Sequence, residues 1–292
     1  MKSAYFFYAG SLLLKPKYLL MKARTYKTPV INILIFTVVL LGASCKKTTS
    51  SAQPAGPDPV SVADPAYDLV WSDEFNGNAI DLSKWTFDNG AAQNNEKEYY
   101  QPANAAVSGG SLVITAKKES AGGLPYTSSR LNTSGKFSVQ YGKIEARLKI
   151  PAGQGLWPAF WMLGQNFKSV GWPFCGEIDI MEHVNSDNLF YGTIHWDNNG
   201  HAQYGKSTTA APADYHIYAI EWDASSIKWY VDNVLYNTAD IKDNINGTDE
   251  FHKPFFIILN LAVGGDWPGQ TIDETKLPAA LSVDYVRVYK KK

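Results

Sequence analysis

Two cysteines in 292 residues, Cys45 and Cys175, exclude a fold held together by a disulfide framework. Neither sign of charge dominates. The 27 Lys and Arg stand against 28 Asp and Glu, which excludes a strongly basic nucleic-acid-binding surface. Long apolar runs are scarce, and the one at 30–41 is short for a membrane-spanning helix. No segment sustains a 3.6-residue apolar period, so long amphipathic helices are not expected. What is abundant is aromatic: 13% of the chain, with 9 Trp and 17 Tyr, inside a 45% hydrophobic composition that rules out a disordered chain. Excess Trp and Tyr serve either a large aromatic core or a surface that stacks on flat apolar ligands.

Charge is uneven along the chain. Residues 1–45 hold six of the Lys and Arg and no acidic residue. Lys22, Arg24 and Lys27 precede the apolar run, and small residues lead into Cys45. This is the order of a secretory signal. Met21 begins a signal of ordinary length, so 1–20 read as an over-extended start. Gly42-Ala43-Ser44-Cys45 resembles a bacterial lipobox with Gly where Leu is usual, which makes Cys45 the lipidation site; plain secretion is the alternative. Without residues 1–44 the chain has 21 basic and 28 acidic residues, a net charge of −7 that repels polyanions. Residues 46–63 are Ser, Thr, Pro and Gly with little apolar content, a tether rather than a core. Residues 64–292 show no further break and read as one domain, expected to be monomeric, with the membrane reached only through the lipid.

That domain reads as strands. Residues 110–118 alternate, and 136–151 alternate twice with a phase slip at Tyr141-Gly142 that predicts a bulge or turn. Residues 227–236 form a hairpin with Asp232-Asn233 at its tip. Residues 255–263 are apolar throughout, as in a buried strand, and 282–289 alternate again. Many short strands separated by Gly, Pro and Asn indicate an all-β sandwich or barrel.

Chemistry concentrates in GEIDIMEHV, residues 176–184. In a strand, Glu177 and Asp179 share a face while Ile178 and Ile180 take the other. Strict alternation would turn Glu182 into the core, where an unpaired carboxylate is costly. One extra residue at Ile180-Met181 returns Glu182 to the face of the other two, so a β-bulge is expected there. Adjacent carboxylates raise one another's pKa, a cost that a stability-driven strand would rarely carry. A solvated outer face accounts for the row equally well. What the row can do is glycoside hydrolysis, with one carboxyl as nucleophile and one as acid/base. Glu177 and Glu182 would start about 13 Å apart along the backbone at ~3.3 Å per residue. Side chains leaning together could approach the ~5–5.5 Å of retaining enzymes, and the wider ~6.5–9.5 Å of inverting ones stays open.

GEIDIME resembles the catalytic signature of glycoside hydrolase family 16, laminarinase-like branch. WSDEFNG (71–77), NNEKEYY (94–100), YGKIEARLKIP (141–151), GLWPAFWMLG (155–164), GTIHW (192–196), LNLAVGGDWPG (259–269) and SVDYVRVY (282–289) resemble further segments of that family, in order. The resemblance implies a jelly-roll β-sandwich with a glycan cleft. It implies retaining endo-hydrolysis of β-1,3-glucan with Glu177 as nucleophile, Glu182 as acid/base and Asp179 assisting. It also implies a structural calcium, with Glu74 and Asp284 matching its ligands, and no cofactor for catalysis.

The remaining candidates have two readings each. Trp157 and Trp161 lie four apart and share a strand face; Trp172 and Trp267 lie in loops. Each either fills core or stacks on sugar. His195 is a satisfied structural residue or a cleft residue near the row. Arg130 is a surface cation or a contact for sugar hydroxyls. Asn260, polar within an apolar run, needs a partner if buried. Cys175 has no activating His in sequence and is expected to be an inert thiol. Mixed-linkage glucan, another neutral β-glycan, transglycosylation, and a non-catalytic carbohydrate-binding sandwich are the alternatives.

Overall fold

The computed structural model describes residues 65–292; the leader, Cys45 and the linker at 46–63 lie outside the described residues. The two large sheets of the described chain form a jelly-roll β-sandwich of antiparallel strands. One sheet runs in the order Val234–Asp240, Ser226–Val231, His216–Trp222, Gly142–Lys149, Ala279–Lys291, Ser111–Ala116, Ala105–Ser108, with Tyr67–Asp73 also pairing on Ala279–Lys291. The other runs His201–Thr209, Leu189–Asp197, Glu177–Glu182, Leu156–Gly164, Phe255–Val263, Arg130–Asn132, Thr86–Phe87. The core lies between them, filled by Ile144, Leu148, Val286 and Val288 from the first sheet and Phe160, Ile178, Leu259 and Leu261 from the second.

Local chemistry explains the breaks. Tyr141 and Gly142 both take left-handed φ, +64° and +130°. Before them Val139 makes only a single bridge to Phe255; after them the strand Gly142–Lys149 begins. The expected phase slip is therefore a turn. Asp232 and Asn233 have φ of 50° and 65°, the pair of left-handed residues that a tight two-residue hairpin requires. Every residue of Phe255–Val263 is buried. Its odd-numbered side chains enter the sandwich core, while Phe256 and Ile258 join Leu163 and Cys175 in a small apolar cluster on the other face.

The strand Glu177–Glu182 carries the bulge. On one side Asp179 pairs with Thr193 and Glu182 with Tyr191, so Ile180 and Met181 together face the single residue Gly192. On the other side Asp179 pairs with Trp161 and Met181 with Phe160, again leaving Ile180 as the extra residue. Ile178, Ile180 and Met181 are all buried in the core. A bulge disrupts the ladder locally, and here the opposite sheet supplies a donor: Trp229 Nε1 bonds the Asp179 carbonyl at 2.7 Å. Asn237 Nδ2 bonds the Gly192 carbonyl at 3.0 Å. A Cβ on Gly192 would overlap the Trp229 ring and the Tyr236 hydroxyl. The absent side chain is the space that the indole occupies.

Trp229→Phe is expected to cost about 1–3 kcal/mol by leaving a buried carbonyl without its donor. Gly192→Ala is expected to cost about 1–3 kcal/mol by overpacking. Urea unfolding checks both; unchanged stability in Trp229→Phe would show that the bulge does not need the indole.

Candidate active site

With the bulge in place, Glu177, Asp179 and Glu182 share the face turned away from the core. His195, Thr193 and Tyr191 lie opposite them on one neighbouring strand, Leu163, Trp161 and Ala159 on the other. Asp179 is buried, at 1% exposure, and Glu182 nearly so at 9%. Each glutamate has its own indole donor. Trp172 Nε1 bonds Glu177 Oε2 and Trp157 Nε1 bonds Glu182 Oε1, both at 3.0 Å. His195 Nε2 lies 3.2 Å from Asp179 Oδ2. The structure thus brings together the three carboxylates, Trp157, Trp161, Trp172 and His195. Trp172, a stacking candidate in sequence, has its N–H on a carboxylate while 45% of its surface stays exposed.

The electrostatics follow from burial. Loss of water pushes Glu177 up to about 8, and the charge of Asp179 adds to it; His195, the Trp172 N–H and Arg130 pull back. Burial likewise pushes Asp179 up to about 8, with a hydrogen bond from Glu177 opposing. Glu182 is held well above the usual carboxylate range by burial first, then by the charges of Asp179 and Glu177. The row therefore keeps protons at neutral pH. Arg130 acts on Glu177 and not among the leading influences on Glu182, which favours an anion at Glu177 and a proton at Glu182. Neighbouring carboxyls pushed apart in this way are suited to different acid–base roles.

Aromatic walls extend from the row. Trp267, 42% exposed, stands edge-on to Trp157 at 5.6 Å and to Tyr191 at 5.0 Å between ring centroids. Arg130 lies over the Trp161 ring at 4.7 Å and pairs with Asp88 at 2.9 Å. Asn260 has the partners that its burial demands. Its Oδ1 accepts from Trp161 Nε1 at 2.8 Å, and its Nδ2 donates to the Tyr100 hydroxyl at 3.0 Å. That hydroxyl donates to Glu96 Oε2 at 3.2 Å. Beyond Trp161 a pocket of about 170 Å³ is lined by Asp88, Arg130, Asn132, Phe167 and Phe256. Sequence reading had matched NNEKEYY as a segment but singled out neither Glu96 nor Tyr100; their role appears only when Asn260 is seen beneath Trp161. Tyr191, His201 and Asp88 were also missed, since each reaches the site from a separate strand or loop.

The side chains of Glu74 and Asp284 are engaged by arginines. Glu74 accepts two hydrogen bonds from Arg287, at 2.9 and 2.7 Å, and Asp284 accepts from Arg147 at 2.7 Å. Guanidinium groups thus neutralise both carboxylates. Cys175 is the inert thiol expected: it is buried, and burial with the Glu177 charge pushes its thiol up to about 11, far from a thiolate at neutral pH.

The family model of glycosyl hydrolases family 16 matches residues 91–287. The chain is 46% identical over 233 residues to the clotting factor G alpha subunit of Tachypleus tridentatus, covering 77% of this chain and 34% of that one. It is 44% identical over 249 residues to a beta-glucanase of Rhodothermus marinus, covering 77% and 86%. The chain thus spans about a third of the first relative's length and most of the second's. Among solved structures, the laminarinase catalytic domain from Thermotoga maritima superposes with a TM-score of 0.73 at 43% identity, over 77% of this chain and 99% of that one. Most of the sandwich, the bulged acid strand and the tryptophans around it fall within the matched span, and the chain belongs to glycoside hydrolase family 16.

Proposed function

We propose that the cleft performs retaining endo-hydrolysis of β-1,3-linked glucan. The observation that carries this reading is the bulged strand itself, with two glutamates on one face, an aspartate between them and an indole N–H on each. Glu177 attacks the anomeric carbon as Glu182 gives its proton to the departing glycosidic oxygen, leaving a glycosyl ester on Glu177. Water then enters on the vacated side. Glu182 takes its proton, the water oxygen bonds the anomeric carbon, and the ester bond breaks to return the Glu177 carboxylate. Asp179, between the two with a carboxylate oxygen within 4.8 Å of one on Glu177, holds the proton distribution. Both reacting groups are carboxyls, so the reaction as written uses no cofactor.

The linkage follows from the relatives named a beta-glucanase and a laminarinase. A neutral chain is favoured because Arg130, the cation beside the row, is already tied to Asp88, and the chain beyond residue 44 carries a net −7. The tryptophan faces suit the C–H faces of sugar rings. Export with a lipid tether at Cys45 is part of the same proposal, since a polysaccharide substrate lies outside the cell. Metabolic labelling with a fatty-acid analogue should mark the full-length protein and not Cys45→Ala; equal labelling would remove the anchor.

Glu177→Gln should abolish sugar release from laminarin with the fold intact. Early product from the wild type should be the β-anomer by proton NMR, and the α-anomer would make the enzyme inverting. Comparison of laminarin, lichenan and agarose sets the linkage; binding without turnover on all three would make the sandwich a carbohydrate-binding protein.

The raised carboxyls also make stability depend on pH. Unfolded glutamate releases its proton near pH ~4.3, whereas folded Glu177 keeps it to about 8. The folded state binds more protons in between, so wild-type stability falls as pH rises through that window. Glu177→Gln lacks this loss, and its advantage in Tm should grow with pH from about 5 to about 8. Trp157→Phe removes a donor that favours the Glu182 anion. The basic limb of the kcat/KM profile should then move to higher pH while the maximum rate falls; a shift to lower pH would contradict the assignment of Glu182 as the acid.

A further inference from the structure

The histidine behind Asp179 does not stand alone. His195 and His201 lie on the two arms of the hairpin Leu189–Asp197 and His201–Thr209, in which Asp197 pairs with His201 and His195 with Gln203. Residues two apart on paired strands share a face. Here His195 Nδ1 and His201 Nε2 are 2.9 Å apart. His201 also packs against Trp172, the donor to Glu177, with ring centroids 4.6 Å apart. The hairpin tip holds this geometry: Asn199 has φ 60°, and the Gly200 N–H bonds Asp197 Oδ1 at 3.1 Å.

We propose that His201 is a positioning residue of the hydrolytic site, holding Nδ1 of His195 so that the opposite nitrogen keeps its proton directed at Asp179. The inference rests on the glycosidase reading for its kinetic consequences, and on geometry alone for the tautomer. Asp179 Oδ2 is buried and has no hydrogen-bond partner of good geometry among the described residues; His195 Nε2, at 3.2 Å, is the group facing it. Once Asp179 is ionised, above the value of about 8 to which burial lifts it, it can only accept, so Nε2 must then carry the hydrogen. Which nitrogen of a histidine is protonated is set by the bond that the other nitrogen makes. With a neutral His195 the partner at Nδ1 must donate; with an imidazolium it must accept. His201 can do either by exchanging tautomers, because it is exposed and can pass its other proton to solvent. Burial and the neighbouring His195 both lower its tendency to take a charge of its own.

The need for such a partner follows from the reaction. The charge of Glu177 disappears when the glycosyl ester forms and returns when water cleaves it. His195 faces Glu177 and Asp179 and acts on Glu182, all from the bulged strand, and the Trp172 ring packs against both histidines. A histidine that gains or releases a proton without turning its Nε2–H away from Asp179 can follow that swing. A partner with one fixed role could not.

Three variants and a spectrum test this. His201→Phe keeps a flat ring against Trp172 but has no nitrogen; His201→Gln can donate or accept through its amide; His195→Phe removes the bridge. His201→Phe should lower kcat about tenfold, the cost of one lost hydrogen bond expressed in the transition state, with KM on laminarin unchanged because the packing is kept. His201→Gln should recover most of that loss. Nitrogen NMR of His195 in the resting wild type should show the Nε2–H form once Asp179 is ionised, above pH about 8, with mixed tautomers in His201→Phe. Equal kcat and an unchanged His195 spectrum in His201→Phe would overturn the proposal, as would a loss of activity that His201→Gln does not restore. The spectrum needs no turnover. A protein inactive on every glucan would therefore sink the functional reading while the tautomer of His195 still decides this one.

Discussion

A hydrogen bond between the two layers of the sandwich supports the geometry of the site. Trp229, buried in the opposite sheet, donates to the carbonyl of Asp179 at the point where the acid strand gains its extra residue. The bulge is what allows Glu182 to leave the core, and it disturbs the ladder that normally satisfies backbone polar groups. A donor from the other layer answers that disturbance, and Gly192 leaves it the room. The reacting carboxyls are thus tied to the sandwich through backbone rather than through a mobile loop, the kind of rigid support that catalytic geometry demands.

The same site is held against its own electrostatics. Three carboxyls share one face with little water, and burial dominates all three shifts. Such a row would be a defect in a purely structural strand. It is tolerable because its opposing influences are distributed unevenly. Each glutamate has one indole donor, the aspartate has His195, and Arg130 acts from the Glu177 side. Unequal support divides the row into one group that gives up its proton more readily and one that retains it. The tryptophans therefore have two functions at once: their N–H groups adjust carboxyls, and their faces remain in the cleft.

Much of this was legible in the chain. The alternation acid–apolar–acid–apolar followed by Met-Glu cannot keep Glu182 out of the core without an inserted residue, so the bulge and its position followed from spacing alone, and the register agrees. The hairpin tip at Asp232-Asn233 and the turn at Tyr141-Gly142 were equally readable, because left-handed backbone leaves a mark in residue choice. The shared face of Trp157 and Trp161 followed from the period of two. What could not be read was which partner each side chain would find. Trp172 offered no sign that its N–H would meet Glu177, nor Asn260 that it would lie between Trp161 and Tyr100. Nor did Glu74 and Asp284, singled out only by the family resemblance, show that their side chains would meet Arg287 and Arg147.

The division has a physical basis. Periodicity, turn chemistry and the cost of burying charge act between near neighbours in sequence, and these determined the strands, the bulge and the acid row from residue order alone. Hydrogen-bond partners are chosen by proximity in space. Trp229 reaches Asp179 from 50 residues away, Trp161 reaches Asn260 from 99, and Asn260 reaches Tyr100 from 160. Those encounters exist only once the two sheets have packed, so the tertiary structure alone decided how the carboxyls are held and which of them keeps its proton.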